Sequence, residues 1–113
     1  MKTLIVEKPW GKFEQFTHNE LTTIKILSIN LGGSLSLQDH GHRSEFWRVL
    51  FGHPIVTIGK TIIKAKPGDE FIIESLEPHQ LEAKDDAVQV LEIAHGNFDE
   101  NDIKRLKDKY GRA

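Results

Sequence analysis

Five side chains of the sequence could bind a metal ion, and four of them fall within eight residues: Gln38, His40, His42, Glu45 and, further along, His79. Imidazole, carboxylate and amide groups are nitrogen and oxygen ligands that divalent metals accept. On an extended strand, residues two apart share a face and lie about 7 Å apart at Cα. Gln38 with His40, or His40 with His42, could therefore converge on one ion. Gln38 and His42 would be about 13 Å apart, so the strand would have to bend for both to bind it.

The strand that carries these residues has two different faces. Leu35 and Leu37 lie on one face, and the other face carries Ser36, Gln38, His40 and His42. This pattern predicts a barrel strand whose polar face points into a cavity.

The composition excludes several function classes. The chain has 113 residues, enough for one domain with a core of its own. A net charge of −2 gives no electrostatic basis for binding nucleic acid or an anionic membrane. Without cysteine there is no disulfide, thiolate ligand or cysteine nucleophile. No apolar run is long enough for a signal peptide or a membrane span, so we predict a soluble, cytoplasmic protein.

Period-two patterns separated by turn residues predict an all-β domain. The predicted strands cover residues 12–17, 21–31, 34–40, 45–51, 54–58, 61–65, 70–74, 79–83 and 87–94. Short strands at such regular spacing are typical of an antiparallel sandwich or barrel. Gly59-Lys60, between two β-branched runs, predicts a hairpin with a type II′ turn.

The end of the sequence has a different pattern. Asp99 could cap a helix, and Ile103, Leu106 and Tyr110 have helical spacing. Gly111 then suits the position after the last turn. We therefore predict one C-terminal helix over about 99–110, packed on the outside of the barrel.

The spacing of the candidate ligands resembles the two sequence motifs of the cupins. Residues 32–52 follow the first motif, G-x5-H-x-H-x3,4-E-x6-G, with Gln38 in place of the first histidine. Residues 68–83 have the spacing of the second motif, G-x5-P-x-G-x2-H-x3-N, and keep its opening glycine and its histidine. The resemblance implies that residues 1–113 form a single cupin domain. Its fold would be a jelly-roll barrel, or double-stranded β-helix, here with one C-terminal helix.

Three blocks narrow the resemblance to one cupin family. The segment LSLQDHGHRSEFW, the opening KPWGKFE and the ending GNFDENDIKRLKDKYGR are similar to conserved blocks of the mannose-6-phosphate isomerase type II cupin. That cupin also forms the C-terminal domain of bifunctional mannose-1-phosphate guanylyltransferases. The blocks occur in order over nearly the whole chain.

The family resemblance implies a metal-dependent aldose–ketose isomerase that converts mannose 6-phosphate to fructose 6-phosphate. One divalent ion, zinc first, or else nickel, iron or manganese, would polarise the carbonyl and stabilise the enediolate oxygens. Its ligands would be Gln38, His40, Glu45 and His79, with His42 as the alternative to Gln38. The gap between His42 and Glu45 is shorter than the first motif requires, so the motif favours Gln38.

The remaining polar residues would bind substrate and move protons. His42 is the predicted general base and Glu74 the second candidate. Arg43 is the predicted phosphate anchor, since guanidinium pairs bidentately with phosphate, and Arg48 and Lys25 are further candidates. The predicted partners are a small sugar phosphate and, by resemblance, a second copy in a homodimer.

Some positions depart from the family pattern and leave two other functions open. Phe46 replaces the usual histidine after the glutamate, Leu76 replaces a glycine, and Gln80 replaces an arginine. A non-catalytic cupin that binds sugar or sugar nucleotide is one alternative. Another metal-cupin enzyme, such as a dioxygenase, is the second.

Overall fold

A computed structural model describes residues 3–96, 99 and 101–112 of the chain. Within these residues the chain forms strands and no helix, which confirms the all-β prediction. The strands are β1 (Leu4–Lys8), β2 (Gly11–Gln15), β3 (Thr22–Ile29), β4 (Leu37–Asp39), β5 (Arg43–Phe51), β6 (Ile55–Ile58), β7 (Thr61–Lys64), β8 (Glu70–Ile73), β9 (His79–Glu82), β10 (Val88–Gly96) and β11 (Lys104–Lys107). Over these ranges nothing resembles a helix that could cross a membrane.

Two antiparallel sheets form the body of the fold. One has the strand order β3-β10-β5-β8 and the other the order β11-β4-β9-β6-β7, while β1 and β2 pair only with each other. The inner faces of both large sheets supply the apolar core, whose members are Trp47, Val49, Val56, Ala65, Ile73, Leu81 and Val90.

Strand β5 places side chains on both faces of its sheet. Glu45, Trp47 and Val49 alternate on the inner face, and all three are buried. Phe46 lies on the outer face but is also buried, because the Phe16 ring packs 5.9 Å from it. The segment after the β1–β2 hairpin thus covers part of the outer face.

The predicted β6–β7 hairpin is present in the expected register. Ile58 pairs with Thr61 across the turn. Gly59 has a φ of 58°, a left-handed value that glycine adopts without strain and that a type II′ turn needs at its first central position.

The predicted C-terminal helix is wrong. Residues 104–107 form β11, which pairs with β4 so that Arg105 lies opposite Gln38. Asp99 closes a turn instead of capping a helix: its backbone carbonyl accepts a hydrogen bond from the Asp102 N–H at 3.0 Å. The open edge of β4 supplies backbone partners for this segment, and they outweigh a short helical pattern.

Two positions of the cupin motifs, Gly52 and Leu76, have positive φ angles. Gly52, which ends the first motif, has a φ of 80°, and a Cβ there would lie 2.2 Å from the Ala87 carbonyl oxygen. Leu76, at the glycine position of the second motif, has a φ of 66°. Its N–H donates to the His40 carbonyl at 2.8 Å, which ties the second motif to the first.

Candidate metal centre

Three buried side chains from three separate segments of the chain converge inside the barrel. His40 follows β4, Glu45 lies in β5, and His79 begins β9. Glu45 Oε1 lies 3.2 Å from His40 Nε2 and 3.2 Å from His79 Nε2. None of the three side chains is more than 3% exposed. Each offers one ligand atom, so the cluster could hold a metal ion.

Backbone carbonyls fix the orientation of both imidazole rings. The Nδ1 of His40 donates to the Asp102 carbonyl at 2.7 Å, and the Nδ1 of His79 donates to the Glu77 carbonyl at 2.8 Å. A carbonyl can only accept, so each Nδ1 carries the proton. Each Nε2 then carries a lone pair on the side of the ring that faces Glu45, which is the usual way a protein prepares histidine ligands.

Two atoms in the cluster lack the hydrogen-bond partners that buried polar atoms normally have. Glu45 Oε1 and His79 Nε2 are buried and accept no hydrogen bond from the described part of the chain. An ionised carboxylate between two imidazole lone pairs fits a cation, and a site of nitrogen and oxygen donors suits a divalent transition metal.

Gln38 lies beside the three donors. Its Nε2 is 3.4 Å from His40 Nε2, and its Oε1 accepts a hydrogen bond from Ser36 Oγ at 2.6 Å. The side-chain oxygen that would bind a metal therefore faces Ser36 in this structure. Exchange of the amide oxygen and nitrogen would turn that oxygen toward the cluster.

The cluster opens into a cavity of about 190 Å³ with cationic walls. Four basic side chains line it together with His40 and Glu45: Lys25, Arg43, Arg105 and Arg112. Arg43 donates through one terminal nitrogen to His40 Nε2 at 3.2 Å and through the other to the Asp99 carbonyl at 3.1 Å. Such a surface suits an anionic ligand with several oxygens.

A second buried acid, Glu92 on β10, also lines the cavity and was not among the predicted site residues. Burial, followed by the hydrogen bond and charge of Glu45, raises the pKa of Glu92 to about 8. Trp47 Nε1 donates to Glu92 Oε2 at 3.1 Å, so this tryptophan does more than fill the core. A signal was present in the sequence, because Glu92 interrupts the apolar inner face of the run that contains Val88 and Val90.

The other predicted site residues lie outside this cavity as far as the structure describes it. His42 is exposed, and its N–H donates to an Asp102 carboxylate oxygen at 2.8 Å. Glu74 is exposed at a separate cavity that Glu20 and His95 also line. Arg48 is on the outer face of β5, where it pairs with Glu14 at 2.8 Å and with Glu70. The roles of all three residues stay predictions.

Two antiparallel sheets around a His/Glu/His cluster define the chain as a cupin. It is similar to a cupin-2 domain from Rhodospirillum rubrum, with a TM-score of 0.69, 19% identity and coverage of 95% of this chain and 76% of that one. It is also similar to oxalate decarboxylase from Bacillus subtilis, with a TM-score of 0.69, 24% identity and coverage of 77% and 24%. The chain belongs to the family described as Mannose-6-phosphate isomerase C-terminal, whose profile matches residues 2–108.

Longer relatives contain the same domain. A mannose-1-phosphate guanylyltransferase of Klebsiella pneumoniae is 34% identical over 111 residues, which are 96% of this chain and 23% of that protein. The alginate biosynthesis protein AlgA of Pseudomonas putida is 31% identical over 112 residues, with coverage of 97% and 23%. The chain thus spans about a quarter of the length of these curated relatives.

Proposed function

We propose that this chain is a metal-dependent sugar-phosphate isomerase that interconverts mannose 6-phosphate and fructose 6-phosphate. The observation that carries the proposal is the convergence of His40, Glu45 and His79 on one point beside a cavity with cationic walls. Membership of the isomerase-type cupin family supports the choice of substrate. We also propose that residues 1–113 form one cupin domain.

The residues divide into a metal-binding set and a phosphate-binding set. His40, Glu45, His79 and Gln38 would hold one divalent ion, with His42 as the alternative to Gln38. A bound ion supplies Lewis-acid chemistry to a sugar carbonyl. Arg43 is the proposed phosphate anchor because its guanidinium lines the cavity beside His40. Lys25 lines the same cavity and adds positive charge.

Proton transfer between C1 and C2 needs a general base within hydrogen-bond reach of the substrate. We assign it to His42, which is exposed and next to Arg43 in the chain, with Glu74 as the second candidate. Assays of His42→Ala and Glu74→Gln test this assignment. An unchanged kcat/KM in both variants would remove it.

The metal content of the purified protein of residues 1–113 and a coupled assay with mannose 6-phosphate test the main proposal. We expect bound metal and turnover in the wild type and loss of both in His40→Ala. His53→Ala is the matched control, because His53 is exposed and paired with Asp86 on the surface. A wild type that binds metal but does not convert mannose 6-phosphate would contradict the isomerase proposal.

A second candidate function is a metal-containing domain that binds sugar phosphate without converting it. It is favoured by one observation: within the described residues, neither His42 nor Glu74 lines the cavity that His40 and Glu45 line. Calorimetry with mannose 6-phosphate distinguishes the two functions. Binding without turnover supports the second, and turnover excludes it.

We also propose that the chain forms a homodimer through the outer face of the β3 sheet. Ile24 and Ile26 are each 59% exposed on β3, which is an edge strand, and they lie beside Ile93 and Leu91 on β10. The β1–β2 hairpin adds a second exposed apolar surface around Trp10. In a two-fold pair, the hairpin of each copy could cover the sheet face of the other.

Sedimentation analysis tests the homodimer. The wild type should sediment as a dimer, and the double variant Ile24→Lys, Ile26→Lys should sediment as a monomer. Ile62→Lys is the control, because Ile62 is 70% exposed on β7 in the other sheet. A monomeric wild type at micromolar concentration would contradict the proposal.

A further inference from the structure

Strand β11 builds one wall of the cavity beside the metal-binding donors. It runs antiparallel to β4 and places Arg105 directly opposite Gln38. Residues opposite each other in an antiparallel ladder project from the same face of the sheet, so Arg105 shares a face with Gln38. Gln38 lies beside His40, since its Nε2 is 3.4 Å from His40 Nε2. Arg105, which was not among the predicted site residues, therefore lines the cavity from the strand next to the donors.

The backbone that carries Arg105 is held in place by Asp102. The Asp102 carboxylate accepts hydrogen bonds from the N–H groups of Gly41 and His42, both at 2.8 Å. Its backbone carbonyl accepts from His40 Nδ1 at 2.7 Å. Arg105 follows three residues later in the chain. The contacts that orient the His40 ring therefore also fix the position of Arg105.

The guanidinium of Arg105 has hydrogen-bonding capacity that the protein leaves unused. Its Nε is buried and has no hydrogen-bond partner among the described residues. A buried donor without a partner is unfavourable, and a ligand that accepts hydrogen bonds would supply one. Arg43 differs, because both of its terminal nitrogens already donate to groups of the protein. Arg112 is paired with Asp108 at 2.8 Å. Arg105 is therefore better placed than either to bind a ligand.

The charge of the cavity indicates which ligand would fit. Four basic side chains line it, against two acidic ones, Glu45 and Glu92. A phosphate monoester carries a charge of about −1.5 to −2 at pH 7 and offers three acceptor oxygens. Guanidinium can bind two of these oxygens through parallel hydrogen bonds, which a sugar hydroxyl cannot match. In a hexose 6-phosphate the reacting carbons and the phosphate lie at opposite ends of the molecule. The phosphate must therefore bind on a wall away from the metal-binding donors.

We propose that Arg105 is a phosphate-binding residue, through which the site selects a phosphorylated sugar over the same sugar without phosphate. The inference rests on the proposed function, because it concerns the substrate of the same site. It is tested by binding, which is measured separately from turnover.

Calorimetry on the protein of residues 1–113 tests the proposal with three probes: mannose 6-phosphate, inorganic phosphate and mannose. We expect Arg105→Gln to weaken the binding of both phosphate probes by roughly 10- to 100-fold, because charged hydrogen bonds are lost. Its affinity for mannose and its metal content should equal those of the wild type. Arg105→Lys keeps the charge without the paired geometry, so it should show a smaller loss.

Lys104→Gln is the matched control. Lys104 is exposed on the same strand and lies opposite Asp39, on the other face from Arg105. Its substitution removes the same charge from β11 and should leave the affinity for all three probes unchanged. An equal loss in Lys104→Gln and Arg105→Gln would show a general effect of net charge and overturn the proposal.

Other results would also overturn it. Wild-type affinity for mannose 6-phosphate in Arg105→Gln is one, and a loss of bound metal together with phosphate affinity, which indicates a structural role, is another. Binding of inorganic phosphate without mannose 6-phosphate, or of neither probe, would exclude selection of a sugar phosphate. If Arg105→Gln does not fold, undiminished phosphate affinity in Arg105→Lys would contradict the proposal.

Failure of this inference is distinguishable from failure of the proposed function. A wild type that binds mannose 6-phosphate through Arg105 without converting it overturns only the isomerase proposal. Conversion of mannose 6-phosphate with an unchanged kcat/KM in Arg105→Gln overturns only the role of Arg105.

Discussion

Leu76 is held in a backbone conformation that favours glycine. Its φ of 66° costs a residue with a Cβ about 1–2 kcal/mol. The side chain is 66% exposed, so its packing offsets little of that cost. The conformation is retained because the Leu76 N–H donates to the His40 carbonyl. The strain is therefore a consequence of holding the two cupin motifs together.

Replacement of Leu76 by glycine should stabilise the protein. We expect Leu76→Gly to raise the free energy of unfolding by up to about 1 kcal/mol, because relief of strain exceeds the entropic cost of glycine. Urea denaturation measures the change. Leu31→Gly is the control, because Leu31 is 65% exposed without a positive φ and should lose stability. A destabilised Leu76→Gly would mean that the side chain makes contacts worth more than the strain.

At the level of single residues, the motif spacing predicted which side chains meet in the cluster. The motif spacing identified His40, Glu45 and His79, and the structure brings these three together. His42 shares their strand pattern, but the chain bends before β5, and the side chain is exposed. Glu92 was missed because its partners lie on another strand, and no local pattern reports a contact across a sheet.

Gly52 lets the chain turn at the end of β5 and pass close to the start of β10. A Cβ at this position would meet the Ala87 carbonyl oxygen at 2.2 Å. The first-motif glycine thus allows two backbones to approach and also adopts a positive φ. Only the second property could be guessed from the sequence.

We expect Gly52→Ala to lower the free energy of unfolding by about 3 kcal/mol or more, since it combines overpacking with an unfavourable φ. Gly68→Ala separates the two effects. Gly68 has a φ of 93° and nothing within 4 Å of an added Cβ, so its substitution should cost only about 1–2 kcal/mol. Equal losses in urea denaturation would rule out the backbone clash as the cause.

An ion pair between Glu14 and Arg48 attaches the β1–β2 hairpin to the barrel. Arg48 on β5 donates to both carboxylate oxygens of Glu14 at 2.8 Å. These bonds, followed by one from Thr3, lower the pKa of Glu14 to about 2. A lowered carboxyl pKa stabilises the folded state above the unfolded value of 4.5, and this contribution is lost as the pH falls toward 2.

Glu14→Gln should therefore reduce the pH dependence of stability in that window. Denaturation midpoints between pH 5 and pH 2 should fall less steeply in Glu14→Gln than in the wild type. Glu7→Gln changes another exposed carboxylate of the same hairpin and serves as the control. Parallel pH profiles for wild type and Glu14→Gln would argue against the Arg48 contact as the attachment.

Elements were predicted well where pattern and turn chemistry agreed and poorly where a distant partner decided the outcome. The β6–β7 hairpin has both an alternating pattern and a glycine turn, and its register was as expected. Residues 104–107 have a short helical spacing, but β4 offers them an open sheet edge. Pairing between residues as far apart in the sequence as Gln38 and Arg105 is not visible in a local pattern.

For the whole molecule, metal binding and folding should be coupled. The donors come from three separate segments of the chain, so an unfolded chain presents no preformed site. A ligand at 100 times its dissociation constant adds about 2.7 kcal/mol of stability. For a domain of this size that corresponds to a rise of roughly 10 °C in Tm.

Thermal denaturation with Zn²⁺ and with EDTA measures this coupling. Wild-type Tm should rise with Zn²⁺ and fall back with EDTA, whereas His40→Ala should show no response. His53→Ala should behave like the wild type. A rise in the Tm of His40→Ala equal to that of the wild type would place the stabilising ion at another site.

The hydrogen bond between His40 Nδ1 and the Asp102 carbonyl determines when the proposed metal site can form during protein synthesis. His40 leaves the ribosome early, but the residue whose carbonyl orients its ring, Asp102, is synthesised 62 residues later. Chains emerge from the N-terminus at about 5–20 residues per second. For several seconds, the His40 ring of a nascent chain therefore lacks the Asp102 carbonyl that orients it. Metal loading is therefore expected to follow the release of the C-terminal segment from the ribosome.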